Sequence, residues 1–181
     1  TTVATGTTSA SVAAGGPAAP AGTNIADDGN GYGLRAGYAT GPADFAVAIG
    51  QTRYAAGDVR QVNAFASWKF SFAQVMGQVT RDSVPTVTGR GWGLGALIPV
   101  GVSDIRVSIT QYGTNVAGNP ESRKYSLGYA YNLSKRTALY ATYARIRNSG
   151  GANASVWPTA NGNPAVNAAS TGYDVGIRHA F

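Results

Sequence analysis

Few of the 181 residues could carry covalent or acid–base chemistry. The chain has one histidine, His179, no cysteine, and 8 acidic residues scattered without the close spacing that paired carboxylates or a metal site require. A histidine–carboxylate–serine triad would have to be built on His179, which falls on the apolar parity of the terminal segment, where a structural or assembly role is the plainer reading. No enzymatic constellation, metal or cofactor is expected. Gly31-Tyr32-Gly33 and Gly91-Trp92-Gly93-Leu94-Gly95 read as strands rather than helix starts, so neither suits a phosphate cradle. What remains is charge. Arg35, Lys69, Arg106, Lys124 and Arg178, with Asp104 and Asp174, all fall on the polar parity of alternating segments. The 14 Lys and Arg outnumber the 8 Asp and Glu, for a net charge of +6. These cations are spread along the chain without forming a stripe, so nucleic acid is not expected as the partner.

The elements that position those charges have a period of two, not 3.6. Tyr32, Leu34, Ala36 and Tyr38 alternate with small or polar residues. The pattern returns at Phe45-Val47-Ile49, Val62 to Phe70, Ala73 to Val79, Trp92 to Ile98, Ile105-Val107-Ile109, Tyr125 to Tyr131, and Tyr173 to Phe181. Thr137 to Arg145 is less regular, with Tyr140 and Tyr143 on opposite faces. Nine strands are expected, most about 8 to 12 residues long. Short turns at Thr40 to Ala43, Phe70 to Phe72, Pro99 to Asp104 and Asn132 to Arg136 alternate with more irregular links. Those links run from Tyr54 to Asp58, Arg81 to Arg90, Gly113 to Ser122 and Asn148 to Ser170. This is the bookkeeping of an up-and-down antiparallel meander. Residues 1–30, rich in Ala, Thr, Gly, Ser and Pro and without aromatics, read as a loop or flexible segment. They lack the basic and apolar regions of a signal peptide. Residues 31–181 read as strands of one β-domain.

Composition narrows the class. Charged residues are only 12%, glycines number 25, and mean hydropathy is -0.09. No stretch approaches the roughly 18 to 20 apolar residues of a membrane helix, and the missing cysteines exclude a disulfide scaffold. Strands of this length exceed the soluble average of about 5 to 6 residues and fit tilted membrane strands of about 9 to 11. Aromatics gather near strand ends, at Tyr32, Tyr38, Trp68, Phe70, Phe72, Trp92, Tyr112, Tyr125 and Tyr131, as in the two girdles of a membrane barrel. The competing readings are a soluble, carbohydrate-binding β-sandwich with tyrosine-rich strands and a small structural or adhesin-like outer-membrane barrel without an open pore. In the latter, residues 1–30 would hide a tenth strand, because bacterial barrels have even strand numbers.

The ending Tyr173-Asp174-Val175-Gly176-Ile177-Arg178-His179-Ala180-Phe181 resembles the closing strand of Gram-negative trimeric porins. The run Tyr129-Ala130-Tyr131-Asn132-Leu133-Ser134-Lys135-Arg136-Thr137, followed by Leu139-Tyr140 and Tyr143, resembles their penultimate hairpin in β-proteobacteria. The resemblance implies a 16-stranded transmembrane β-barrel in which the Tyr32 strand is the eighth. It also implies a periplasmic C-terminus, an extracellular segment 1–30, and seven earlier strands and a constriction loop outside this chain. Tyr173, Val175, Ile177 and Phe181 would be the signal read by the outer-membrane assembly machinery. The implied function is passive diffusion of small hydrophilic solutes through a homotrimeric channel. Cations on the polar parity would concentrate small anions there. Arg35 and Arg106 are the foremost pore-lining candidates, whereas Lys69 and Lys124 could instead be solvated at the rim or contact lipid headgroups. Arg81, Arg90, Arg123, Arg145 and Arg147 lie toward the loop end, where lipopolysaccharide phosphates are the expected contacts.

Overall fold

The computed structural model describes residues 29–157 and 163–181; most of the expected loop 1–30 lies outside them. Nine strands follow in chain order: β1 (Gly31–Thr40), β2 (Ala43–Thr52), β3 (Val59–Lys69), β4 (Gln74–Ser83), β5 (Thr88–Val100), β6 (Ser103–Thr114), β7 (Glu121–Asn132), β8 (Thr137–Ser149) and β9 (Ser170–His179). They form one sheet in sequential order, every neighbouring pair antiparallel. β1 and β9 are its edges, so the sheet does not close on itself.

Sequential order leaves no room for the crossings of a Greek-key sandwich. Among the described residues no helix is long and apolar enough to cross a membrane, which says nothing about crossing by strands. Strands of 10 to 13 residues rising about 3.3 Å per residue and tilted near 45° would span roughly 23 to 30 Å. An outward apolar band of a membrane barrel is about 25 Å tall.

The hairpins are tight at one end. Gly41-Pro42 and Gly101-Val102 are two-residue turns with φ of +53° at Gly41 and +62° at Gly101. Both glycines open their turns at positive φ, a conformation that side-chain-bearing residues rarely adopt. At the other end, six residues join β2 to β3 and β6 to β7, and twenty join β8 to β9. The β4–β5 link is shorter than its sequence suggested. Arg81 and Arg90 are direct cross-strand partners inside the ladder, leaving only residues 84–87 as the turn.

The register carries each alternating run onto one continuous face. Leu34 stands opposite Ile49, Ile49 opposite Val62, Leu94 opposite Ile109, Val107 opposite Leu127, and Leu139 opposite Ile177. Every large apolar strand residue that is solvent-exposed sits on this face except Tyr112. The buried apolar residues are alanines apart from Val59 and Ile146, and among the described residues no large side chain is fully enclosed. A soluble sandwich needs interdigitated large side chains in its core; here such side chains point away from the chain's own interior.

Candidate functional site: the inner face of the sheet

The opposite face is small and polar. It carries Gly33, Arg35 and Gly37 on β1, Gln61 and Asn63 on β3, Gln74, Gln78 and Thr80 on β4, and Gly91, Gly93 and Gly95 on β5. Farther round, Arg106, Ser108 and Thr110 of β6, Lys124 and Ser126 of β7, and Asp174 and Arg178 of β9 continue it. A hollow of about 570 Å³ on this side is lined by Arg106, Gly128, Tyr140, Thr142 and Arg178.

Glycines on β5 make room for neighbours. Tyr112 lies across β5, so a Cβ on Gly89 would stand 2.0 Å from its hydroxyl and one on Gly91 would stand 2.9 Å from its ring. Thr80 fills the other side of Gly91 at 2.8 Å, and Thr110 and Gln78 close over Gly93 at 3.0 and 3.3 Å. Tyr140 covers Gly176 on β9 in the same way, at 2.6 Å. The Gly-Trp-Gly-Leu-Gly run is therefore a seat for side chains from β4 and β6. Tyr112, expected in an outward girdle, falls instead on the inner parity of β6 with Arg106 and Thr110, and its ring fills the trough left by Gly89 and Gly91. Its hydroxyl donates to Asp82 Oδ2 at 3.0 Å.

All seven charged residues singled out from the sequence share this inner face. Arg106 and Asp104 come together, Nη2 to Oδ2, at 3.9 Å, and Asn132 donates to the same carboxylate oxygen at 3.3 Å. Arg106 and Arg178 line one hollow. Arg35 is midway along the edge strand β1, Lys69 closes β3, Lys124 faces Thr110 and Ile146, and Asp174 faces Thr142. Among the described residues none of these four has an ion-pair partner. The register adds two inner carboxylates that were not singled out: Asp44, opposite Ala39, and Asp82, opposite Gln61. Both were legible by counting, since each is one step from an outward residue. Gln61 donates to Asp82 at 3.3 Å, so with Tyr112 that carboxylate is held from two sides.

The described residues of the longest link also pack on the inner side. Asn148, an inner residue only 8% exposed, donates to the carbonyls of Ala154 at 2.9 Å and Ala168 at 2.7 Å, and accepts from Ala154 N–H and the Ser122 hydroxyl. Val156 and Trp157 then rest on inner-face Gly172, where a Cβ would meet both at 2.7 to 2.9 Å. Sequence reading missed this, because the loop has no period. His179 is on the outward parity, its Nδ1 2.8 Å from Thr137 Oγ1 and its ring edge-on to Phe181.

Comparison with known proteins agrees with this arrangement. Residues 2–151 match the model of the Gram-negative porin family. The match stops short of β9, so the terminal motif that carried the strongest sequence resemblance lies outside it. Outer membrane porin protein 32 of Delftia acidovorans is 30% identical over 156 residues, covering 80% of this chain and 44% of that protein. An anion-selective porin from Comamonas acidovorans superposes with a TM-score of 0.74 at 27% identity, over 83% of this chain and 49% of that one. OmpT of Vibrio cholerae shares the fold at a TM-score of 0.64 and 13% identity, over 83% of this chain and 56% of its own. The chain thus spans about half the length of the relatives it matches. By sequence match and fold together, it belongs to the Gram-negative porin family.

Proposed function

We propose that this chain supplies strands of a water-filled outer-membrane channel through which small hydrophilic solutes, anions in preference, diffuse passively. The observation that carries the reading is the sorting of side chains between the two faces of one sheet. Large apolar residues occupy the outer face, and glycine, amides, hydroxyls and charges the inner one. In a bilayer every strand N–H and C=O must be paired, so the open edges at β1 and β9 require further strands to complete the wall. Those strands belong to the same barrel, 16 in all by resemblance to trimeric porins, and the complete channel is a homotrimer.

Anion preference rests on the inner charges. Arg35, Lys69, Lys124 and Arg178 stand free of carboxylates among the described residues, and Asp44 and Asp174 are unpaired as well. The described inner strand positions thus carry five cations against four carboxylates, of which Asp82 and Asp104 are engaged by neighbours. In a narrow passage with low-dielectric walls, unpaired cations raise the local concentration of anions. A related channel is named as anion-selective. Tyr173, Val175 and Ile177, exposed on the edge strand β9, with Phe181 beyond its end, are the assembly signal. The short-turn end and the C-terminus face the periplasm.

The chain has no cysteine, so single cysteines can be introduced cleanly. In the folded barrel, Lys124→Cys should react with a charged, water-soluble thiol reagent and lower single-channel conductance. Leu94→Cys, on the outer face, should react only with a lipid-soluble reagent and leave conductance unchanged. The reverse pattern would refute the assignment of faces.

A further inference from the structure

Of the chain's three tryptophans, Trp68 and Trp92 lie on the outer face, where a lipid-facing aromatic girdle accounts for them. Trp157 has no such account. It sits on the inner side, one edge of its indole over Gly172, and is 52% exposed. Covering that glycine does not require an indole, because Val156 Cγ1 already stands 2.9 Å from where its Cβ would be. The segment is also held without the ring. Val156 N–H donates to Ser170 Oγ at 3.1 Å, Ser155 Oγ lies 3.3 Å from the same hydroxyl, and Trp157 N–H donates to Ser155 Oγ at 3.3 Å. An aromatic surface is thus held in place on the polar side of the wall.

Along β9, four inner positions follow in file: Gly172, Asp174, Gly176 and Arg178. Tyr140 covers Gly176 as Trp157 covers Gly172, its hydroxyl 2.6 Å from where a Cβ would stand. The two aromatic-capped glycines are four residues apart, about 13 Å along a strand, which is the span of a short oligosaccharide. Between them Asp174, without an ion-pair partner among the described residues, faces Thr142. Tyr140 and Thr142 line the hollow of about 570 Å³ together with Arg106 and Arg178. The order down the wall is therefore aromatic, acceptor, aromatic, donor.

That order selects among solutes by charge. A cation would suit Asp174 but meet Arg178 and Arg106 farther down, and an anion would suit those two but meet Asp174. A neutral molecule meets no like charge. A sugar ring has an apolar C–H face that can lie against an indole or phenol. Its hydroxyls both donate to a carboxylate and accept from a guanidinium.

We propose that Trp157, Asp174, Tyr140 and Arg178 form a binding track for a neutral oligosaccharide, entered from the longer-link end. The track rests on the reading of this face as the lumen, and it adds a solute class to that reading. Trp157 and Tyr140 stack on separate sugar rings, Asp174 accepts from the hydroxyls between them, and Arg178 donates at the lower end.

The test uses the complete folded barrel in a planar bilayer, with cellotriose and a polyethylene glycol of matched size added separately. The concentration of each that halves the chloride current is measured. The polymer obstructs by volume alone, so cellotriose should block wild type at a concentration about tenfold lower. W157A and Y140A should each raise the cellotriose value about fivefold and leave the polymer value unchanged. W157F, which keeps a ring, should stay close to wild type. Equal blocking by sugar and polymer in wild type overturns the proposal, and so does an unchanged sugar value in both alanine variants. A parallel shift of the sugar and polymer values in W157A would make the residue a packing group of the link and would also overturn it. Steady conductance that the sugar never blocks removes the track and leaves the channel standing, whereas an absence of conductance steps removes the lumen and the track with it. Should an alanine variant not fold, W157L or Y140L, bulky but without a ring, takes its place with the same expectations.

Discussion

Asn148 shows how much one inner residue can organise. Its side chain makes four hydrogen bonds that tie β8, β7 and the residue 150–169 link together at the wide end of the sheet. Removing a buried amide that satisfies two carbonyls costs about 1 to 3 kcal/mol. Asn148→Ala should therefore free the link, seen as roughly tenfold faster limited proteolysis within residues 150–169 of the folded barrel; an unchanged rate would mean that the link is held elsewhere. At the opposite end, Asp104 takes charge away from Arg106 at 3.9 Å. The pair is half-exposed and adds little to stability, so its consequence is electrical. Asp104→Asn should raise the anion-to-cation permeability ratio without lowering thermal stability, and Arg106→Gln should lower the ratio. Equal ratios in both variants would remove these two residues from the conduction path. The parity of Asp104 and Arg106 was legible from alternation alone. Their contact was not, since two residues on one face of a strand meet only if their rotamers turn toward each other.

Strands were the most readable level, because a period of two is a direct image of a sheet with unlike faces. Even the irregular Thr137 to Arg145 segment was resolved by register: Tyr143 faces out beside Tyr173, while Tyr140 turns in over Gly176. Counting along β6 also puts Tyr112 on the inner parity, an even step from Arg106, Ser108 and Thr110, although its place near a strand end suggested the girdle. What counting does not tell is where that ring is seated, over Gly89 and Gly91, information that lies on β5 rather than β6. Strand ends were blurred for a similar reason. Arg81 and Arg90 looked like loop residues by type, yet pairing extends past them. The glycine seat on β5 can be tested directly. Gly91→Val would place a branched side chain where Thr80, Tyr112 and the Gln111 carbonyl already stand within 3.1 Å. Overpacking of this kind costs about 1 to 3 kcal/mol. The variant should expel Tyr112 from Asp82 and lower the heat-modifiability midpoint of the barrel by several degrees; an unchanged midpoint would show that the trough is slack.

At the scale of the whole molecule, sparse charge and abundant glycine follow from one requirement. A single layer of strands must present hydrocarbon to lipid and a hydrated surface to its lumen, with no core between them. The chain's 12% charged residues and 25 glycines fit that division. The sheet's fold and family are firm in both sequence and structure, whereas the closed barrel needs strands beyond β1 and β9. In the proposed channel its wall would carry two separate sets of cations, an inner one facing solutes and an outer one near the longer links. Only the inner system should influence conduction, since the Debye length is about 8 Å at physiological salt. The central claim is therefore a claim about ion selectivity. The decisive measurement is the zero-current potential of the complete barrel in a planar bilayer across a tenfold potassium chloride gradient. Stepwise conductance with a potential whose sign reports chloride as the more permeant ion is the expected result; stepwise conductance with a potassium-preferring sign, or no conductance steps, would contradict it.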